Sequence, residues 1–160
     1  MNYAECIEQA RGRIGNYCKA CVECNGRACR NQMPGPGAKG IGDTAMRNYD
    51  KWKEIRVQMD TIAENKPVDT SLELFGKKFL YPFFAGPVGA VGLHYGDCLD
   101  DVRYNDILVS ACAKYGIAAF TGDGLDSNVM VAATKAIGKT DGIGIPTVKP
   151  WNIDAVAEKM

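Results

Sequence analysis

Residues Phe79 to Gly92, FLYPFFAGPVGAVG, divide after Ala85 into a continuous apolar run of strand length and a Gly-Pro-Val-Gly break. An apolar run buried on both faces is the pattern of a central parallel strand, and Gly and Pro at its carboxyl end make a loop that a ligand can approach closely. Open and closed α/β folds place their active sites at such strand ends. The flanking chain fits this frame. Leu72 and Leu74 alternate before Gly76-Lys77 and Phe79, which predicts a small hairpin feeding the strand. Downstream, Asp100 to Tyr115 puts Tyr104, Ile107, Leu108, Ala111, Cys112 and Tyr115 on one helical face, with Gly116 as the stop. Gly116 to Phe120 is a second apolar strand, ending in Thr121-Gly-Asp-Gly-Leu125. Asp126 or Ser127 can cap a helix carrying Val129, Met130, Ala133 and Ile137, which Gly138 closes. Gly142 to Val148 is a third strand, and Asn152 can cap a last helix, Ile153 to Met160. Strand, loop and helix recur about every 30 residues, the size of a βα unit in a right-handed parallel sheet.

Upstream, Ala4, Ile7, Ala10 and Ile14 give residues 2 to 14 a thin helical stripe. Cys18, Cys21, Cys24 and Cys29 follow at C-x2-C-x2-C-x4-C spacing. Four thiolates so spaced can wrap one zinc or anchor an iron–sulfur cluster, and Asn25-Gly26 permits the tight turn; the alternative is a loop of reduced, packed thiols. Gly35, Gly37 and Gly40 match G-x-G-x-x-G, but Pro36 interrupts them and no strand precedes them, so the match is set aside. Asp43 or Thr44 can cap a helix running through Met46, Tyr49, Trp52, Lys53 and Ile55. The domain boundary is placed at residue 42: a helix, Cys-rich segment and Gly/Pro linker over 1–42, then an α/β part over 43–160.

The 160 residues suffice for one domain with a core, and 46% apolar with 24% charged content is ordinary for a globular chain. Nineteen basic and nineteen acidic residues cancel without like-charge blocks, so nothing points to nucleic acid or an anionic membrane, and a small polar ligand is the expectation. The amino terminus lacks the apolar core of a signal peptide or membrane span, which predicts a cytoplasmic protein. Seven cysteines without an export signal argue for thiols or metal ligands over disulfides.

Several segments, in order, resemble the amino-terminal half of the FMN-dependent α-hydroxy acid oxidases and dehydrogenases: Asn48-Tyr-Asp-Lys-Trp52 with Arg56, Val68-Asp-Thr-Ser71 with Leu74-Phe-Gly76, Pro82-Phe-Phe-Ala-Gly-Pro87, Ala111 with Gly116, and Thr121. The resemblance runs roughly from residue 43 to 156 and leaves the cysteines outside it. It implies a partial (β/α)8 TIM barrel of about three βα units, with FMN across the carboxyl ends of the strands. It implies that the backbone of Pro87, Val88 and Gly89 meets the flavin's N5 and O4 edge, and that the Thr121 and Thr147 hydroxyls hold the flavin. Thr147 stands where the family usually has Gln, and Lys149 where it has a substrate-binding Tyr. The reaction implied is oxidation of a lactate-like 2-hydroxy acid to a 2-oxo acid by hydride transfer to flavin.

The family's histidine base, its arginine clamp and most of its phosphate site belong to the second half of the barrel, whereas a whole barrel takes about 250 residues. The one histidine, His94, follows the first strand and reads as a solvated loop residue. No catalytic residue is therefore assigned. Three expectations stand together: an amino-terminal fragment of a longer flavoenzyme, a half-barrel that pairs with itself or with a separate carboxyl half, and a non-catalytic, metal-binding module. A flavin-dependent isopentenyl diphosphate isomerase-like enzyme is the alternative reaction on the same fold. Gly122-Asp-Gly-Leu-Asp126 lacks calcium-loop spacing and reads as a turn lining the site. Asp69 reads as a turn former, and Cys98 and Cys112 as packed or partly exposed thiols.

Overall fold

The computed structural model describes residues 1–14, 17–29, 43–124, 126–141 and 143–160. The chain separates into two units, residues 1–66 with 92–98 and residues 67–91 with 99–160. The Gly35-Gly37-Gly40 match lies outside the described residues.

In the first unit, α1 (Tyr3–Arg11) opens with a capping box: Asn2 accepts from the Glu5 N–H while Glu5 reaches back to the Asn2 backbone. The helix buries no side chain, as its thin stripe predicts. The Asn25-Gly26 turn forms, with Gly26 at φ 75° and Asn25 Oδ1 accepting the Arg27 N–H at 3.0 Å. A Cβ at residue 26 would lie 2.7 Å from the Ala45 Cβ, so glycine is what lets this turn lie on α2 (Asp43–Trp52). That helix ends at Trp52, short of Ile55.

In the second unit the hairpin is present: β1 (Leu72–Leu74) pairs antiparallel with β2 (Lys77–Phe79). Its two-residue turn is Phe75-Gly76, with φ of 54° and 69°. Positive φ at both central residues matches the right-handed twist of the strands. The one-turn helix α3 spans Val91–Tyr95, all but its first residue within the 92–98 segment of the first unit.

Three parallel segments then lie side by side. Ala119 bridges to Ala85 on one side, and β3 (Ala119–Phe120) pairs with β4 (Gly144–Ile145) on the other. The central position therefore belongs to β3, a correction to the expected central strand at Phe79–Ala85. Proline explains it. Pro82 has no N–H to give a ladder, and beyond Phe79 the run meets the 116–120 segment where Leu80 N donates to Gly116 O (2.8 Å) and Ala85 exchanges bonds with Ala118 and Phe120 (3.0 and 2.9 Å). Leu80 and Phe83 stay 54% and 60% exposed. Pro146 shortens β4 in the same way. Among the described residues the strands make two two-stranded sheets and no closed barrel.

The crossovers are α4 (Asp101–Lys114) and α5 (Asn128–Lys139), and they pack on one another. Asp100 caps α4 through the Arg103 N–H at 2.7 Å, and Gly116, at φ 71°, follows its end. Val109, Cys112, Ala119 and Ala136 form the core, with Ala85, Leu108, Ile117 and Ile137 packed against it. The buried stripe of α4 is Asn105, Val109 and Cys112, rotated from the expected one: Ile107 and Tyr115 face out, 49% and 65% exposed. A polar residue at the core-facing position hides the stripe from a hydrophobic count. In α5, Val129, Met130, Ala133 and Ala136 are buried, close to expectation. The helix passes Gly138 to end at Lys139. Asp126 accepts the Asn128 N–H (2.9 Å). Asn152 caps α6 (Ile153–Lys159) through Ala155 N, and Asp69 turns the chain by accepting the Ser71 N–H (2.9 Å).

Candidate functional site

The loops that follow the three parallel segments meet at their carboxyl ends, and Asp123 is where they join. A Cβ on Gly89 would stand 2.6 Å from the Asp123 carbonyl oxygen, and one on Gly122 would overlap the Val88 carbonyl. The missing side chains thus serve contact between two backbones of this chain. The Asp123 carboxylate accepts from Lys149 N (2.8 Å) and Trp151 Nε1 (2.7 Å) on one oxygen and from Lys159 Nζ (2.5 Å) on the other. Lys159 also donates to Gly124 O at 2.5 Å and lies 5.1 Å from the Trp151 ring centroid. Lysine and tryptophan from the loop and helix after β4 are thereby tied to the loop after β3.

Burial pushes the Asp123 carboxyl upward, but the Lys159, Lys149 and Trp151 hydrogen bonds and the Lys159 charge outweigh it and hold the group below the usual carboxylate range. It is an anion at neutral pH.

Beside it are two polar groups that satisfy nothing. Asn105 and Thr121 are 0% exposed, and Asn105 Nδ2 and Thr121 Oγ1 have no hydrogen-bond partner among the described residues. Asn105 Oδ1 accepts the Gly122 N–H at 3.0 Å, so α4 reaches under the turn that carries Thr121. Buried polar atoms are nearly always paired, and exceptions point to a strained or ligand-binding place.

Pro87 is exposed, Val88, Gly89 and Thr147 are half-buried, Thr121 is buried and Lys149 is exposed. Contacts through Asp123 and Gly122 gather the 88–89, 121–123 and 149 backbones. The turn carrying Asp123 was read as lining the site, but its partners Trp151 and Lys159, and Asn105 on α4, escaped sequence reasoning, because no local spacing links residues that meet only once the loops converge.

The cysteines lie in the other unit. Cys18, Cys21 and Cys29 are half-buried and Cys24 is exposed, all as free thiols. Among the described residues no group of three or more His, Cys, Asp or Glu side chains is placed to hold a metal. The zinc or iron–sulfur expectation for these four cysteines therefore finds no support in this arrangement. Burial, followed by the charges of Cys24, Cys18 and Cys21, raises the Cys29 thiol above its ordinary value. His94 is in α3, edge-on to Tyr95 at 5.9 Å between ring centroids.

A parallel α/β unit with polar loops collected at the carboxyl ends of its strands is the arrangement of a small-ligand or cofactor site. The profile of the FMN-dependent dehydrogenases matches residues 35–143, more than half of the chain. The chain belongs to the FMN-dependent dehydrogenase family, a membership that implies FMN as cofactor and a TIM-barrel relationship for the fold. No match was found among curated proteins or among solved structures. Among the described residues no helix is long and apolar enough to cross a membrane.

Proposed function

We propose that residues 43–160 are the flavin-edge part of an FMN-dependent oxidoreductase that converts lactate-like 2-hydroxy acids to 2-oxo acids. The observation that carries the reading is the unpaired, fully buried Thr121 hydroxyl at the carboxyl end of β3. The residues fit the group: an isoalloxazine edge needs hydrogen-bond donors and acceptors, and the Thr121 hydroxyl and the 87–89 backbone offer both. Thr147 serves as a second hydroxyl from the loop after β4. When bound, FMN supplies the hydride acceptor for alcohol oxidation. This chain's own residues hold the ring, and Asp123 keeps the three loops in register around it. Lys149 faces the substrate carboxylate in this reading, a cation suited to it. In this reading the base for the substrate hydroxyl and the carboxylate-clamping arginine come from a companion barrel half. Exposed Leu80, Tyr81 and Phe83 support further chain packing on this side.

The test is to add 2-hydroxy acid anaerobically to the FMN-loaded chain, alone and with a carboxyl half-barrel of the family. Bleaching of the flavin's visible band in the paired sample, with 2-oxo acid formed, is expected. Flavin that stays oxidised with every 2-hydroxy acid would refute the substrate class.

A further inference from the structure

Asn105 is a carboxamide buried to 0% exposure on the core face of α4, with half of its bonding capacity used. Its Oδ1 takes the Gly122 N–H at 3.0 Å, while Nδ2 donates to nothing among the described residues. Gly122 is also the residue whose backbone abuts the Val88 carbonyl, and its preceding neighbour is Thr121, whose hydroxyl is equally unpaired. One side chain thus underpins the turn through its oxygen and leaves a buried donor under a turn whose preceding residue carries a second unpaired polar group. An orphaned donor is costly in a dry interior unless a water or a ligand takes it.

We propose that Asn105 belongs to the flavin site: Oδ1 sets the Thr121-Gly122 turn, and Nδ2 donates, together with the Thr121 hydroxyl, to one carbonyl oxygen of the flavin's pyrimidine edge. The inference rests on the flavin reading above and adds a residue from the helix before β3 to loops that follow strands. An acceptor is required because an amide nitrogen can only donate, and a ring carbonyl has two lone pairs to share between the two groups.

Asn105→Asp separates the two roles. It retains an oxygen for Gly122 and nearly the same shape, but when ionised it offers acceptors only; when protonated it regains a donor. The measurements are amide hydrogen exchange at Gly122 in the flavin-free chain and FMN affinity by fluorescence quenching at pH 8. Val109→Ala, one turn further along α4, serves as a destabilised control.

Asn105→Asp is expected to keep the Gly122 amide protected and to weaken FMN about tenfold at pH 8, the size of one lost hydrogen bond. Asn105→Leu is expected to lose both protection and affinity, and Val109→Ala to bind FMN within about twofold of the parent. The proposal is overturned if Asn105→Asp binds FMN as tightly as the parent at pH 8, or if Val109→Ala weakens it equally. A parent chain that takes up no FMN refutes the flavin reading and the Nδ2 role with it. Gly122 protection that survives in a folded Asn105→Leu variant refutes the Oδ1 role whatever the flavin does.

Discussion

Replacing Lys159 with methionine probes the join between the loop after β3 and the helix α6. The Asp123 and Lys159 side chains are 1% and 4% exposed, with Nζ 2.5 Å from the carboxylate. Lys159→Met preserves most of the apolar stem that lies near Trp151 but deletes the charge, stranding an anion in the interior. Removing one partner of a buried pair costs about 3–5 kcal/mol. Two donors remain on the carboxylate, Lys149 N and Trp151 Nε1, so the loss is expected at the lower end, about 3 kcal/mol. Asp123→Asn with Lys159→Met should recover part of it, since the double variant buries no unpaired charge. The assay is urea unfolding followed by tryptophan fluorescence, at pH 7 and at lower pH. In the parent chain the folded Asp123 carboxyl titrates below its unfolded value of about 3.9. The unfolded state then takes up the proton first, so the stability from this group is present above that pH and is lost as pH falls through the folded value. A Lys159→Met chain within about 0.5 kcal/mol of the parent at pH 7, the range of ordinary surface substitutions, would refute the view that this pair holds the loops together.

Gly89→Ala places a Cβ 2.6 Å from the Asp123 carbonyl oxygen, and it should lower unfolding free energy by about 1–3 kcal/mol, read from denaturant midpoints. Thr121→Val removes an unpaired buried hydroxyl; the flavin-free chain should gain about 1 kcal/mol in thermal unfolding while FMN affinity falls. A variant gaining both would count against a flavin contact there. Maleimide labelling near pH 8 should modify exposed Cys24 and Cys98 before Cys29 and Cys112, whose thiols burial raises; Cys29 reacting first would contradict the arrangement.

Local chemistry carried much of the fold. The hairpin of Leu72, Leu74 and Phe79, the Asp100 and Asn152 caps and most of the α5 stripe were legible, because each is decided within a short stretch of chain, although the hairpin turn falls at Phe75-Gly76, one residue before the expected Gly76-Lys77. Strand placement was less so. Phe79–Ala85 has a central strand's composition, yet Pro82 and partner availability put it beside β3. Asn105 was not singled out, because a lone polar residue on a helix carries no local signal of what it meets across the fold. Asp123 and Lys159 are separated by 36 residues, and their pairing follows only from the convergence of three loops. The cysteine spacing is a regular pattern whose side chains, among the described residues, are not gathered into a metal-holding group.

The most direct test of the account is an anaerobic absorption titration of the purified 160-residue chain with FMN, with mass and oligomeric state determined on the same sample. Saturable uptake approaching one flavin per chain or per dimer, with a perturbed visible band, is the expected result. A folded chain that leaves the FMN spectrum unchanged at saturating flavin would contradict the placement of a flavin site at the carboxyl ends of these strands.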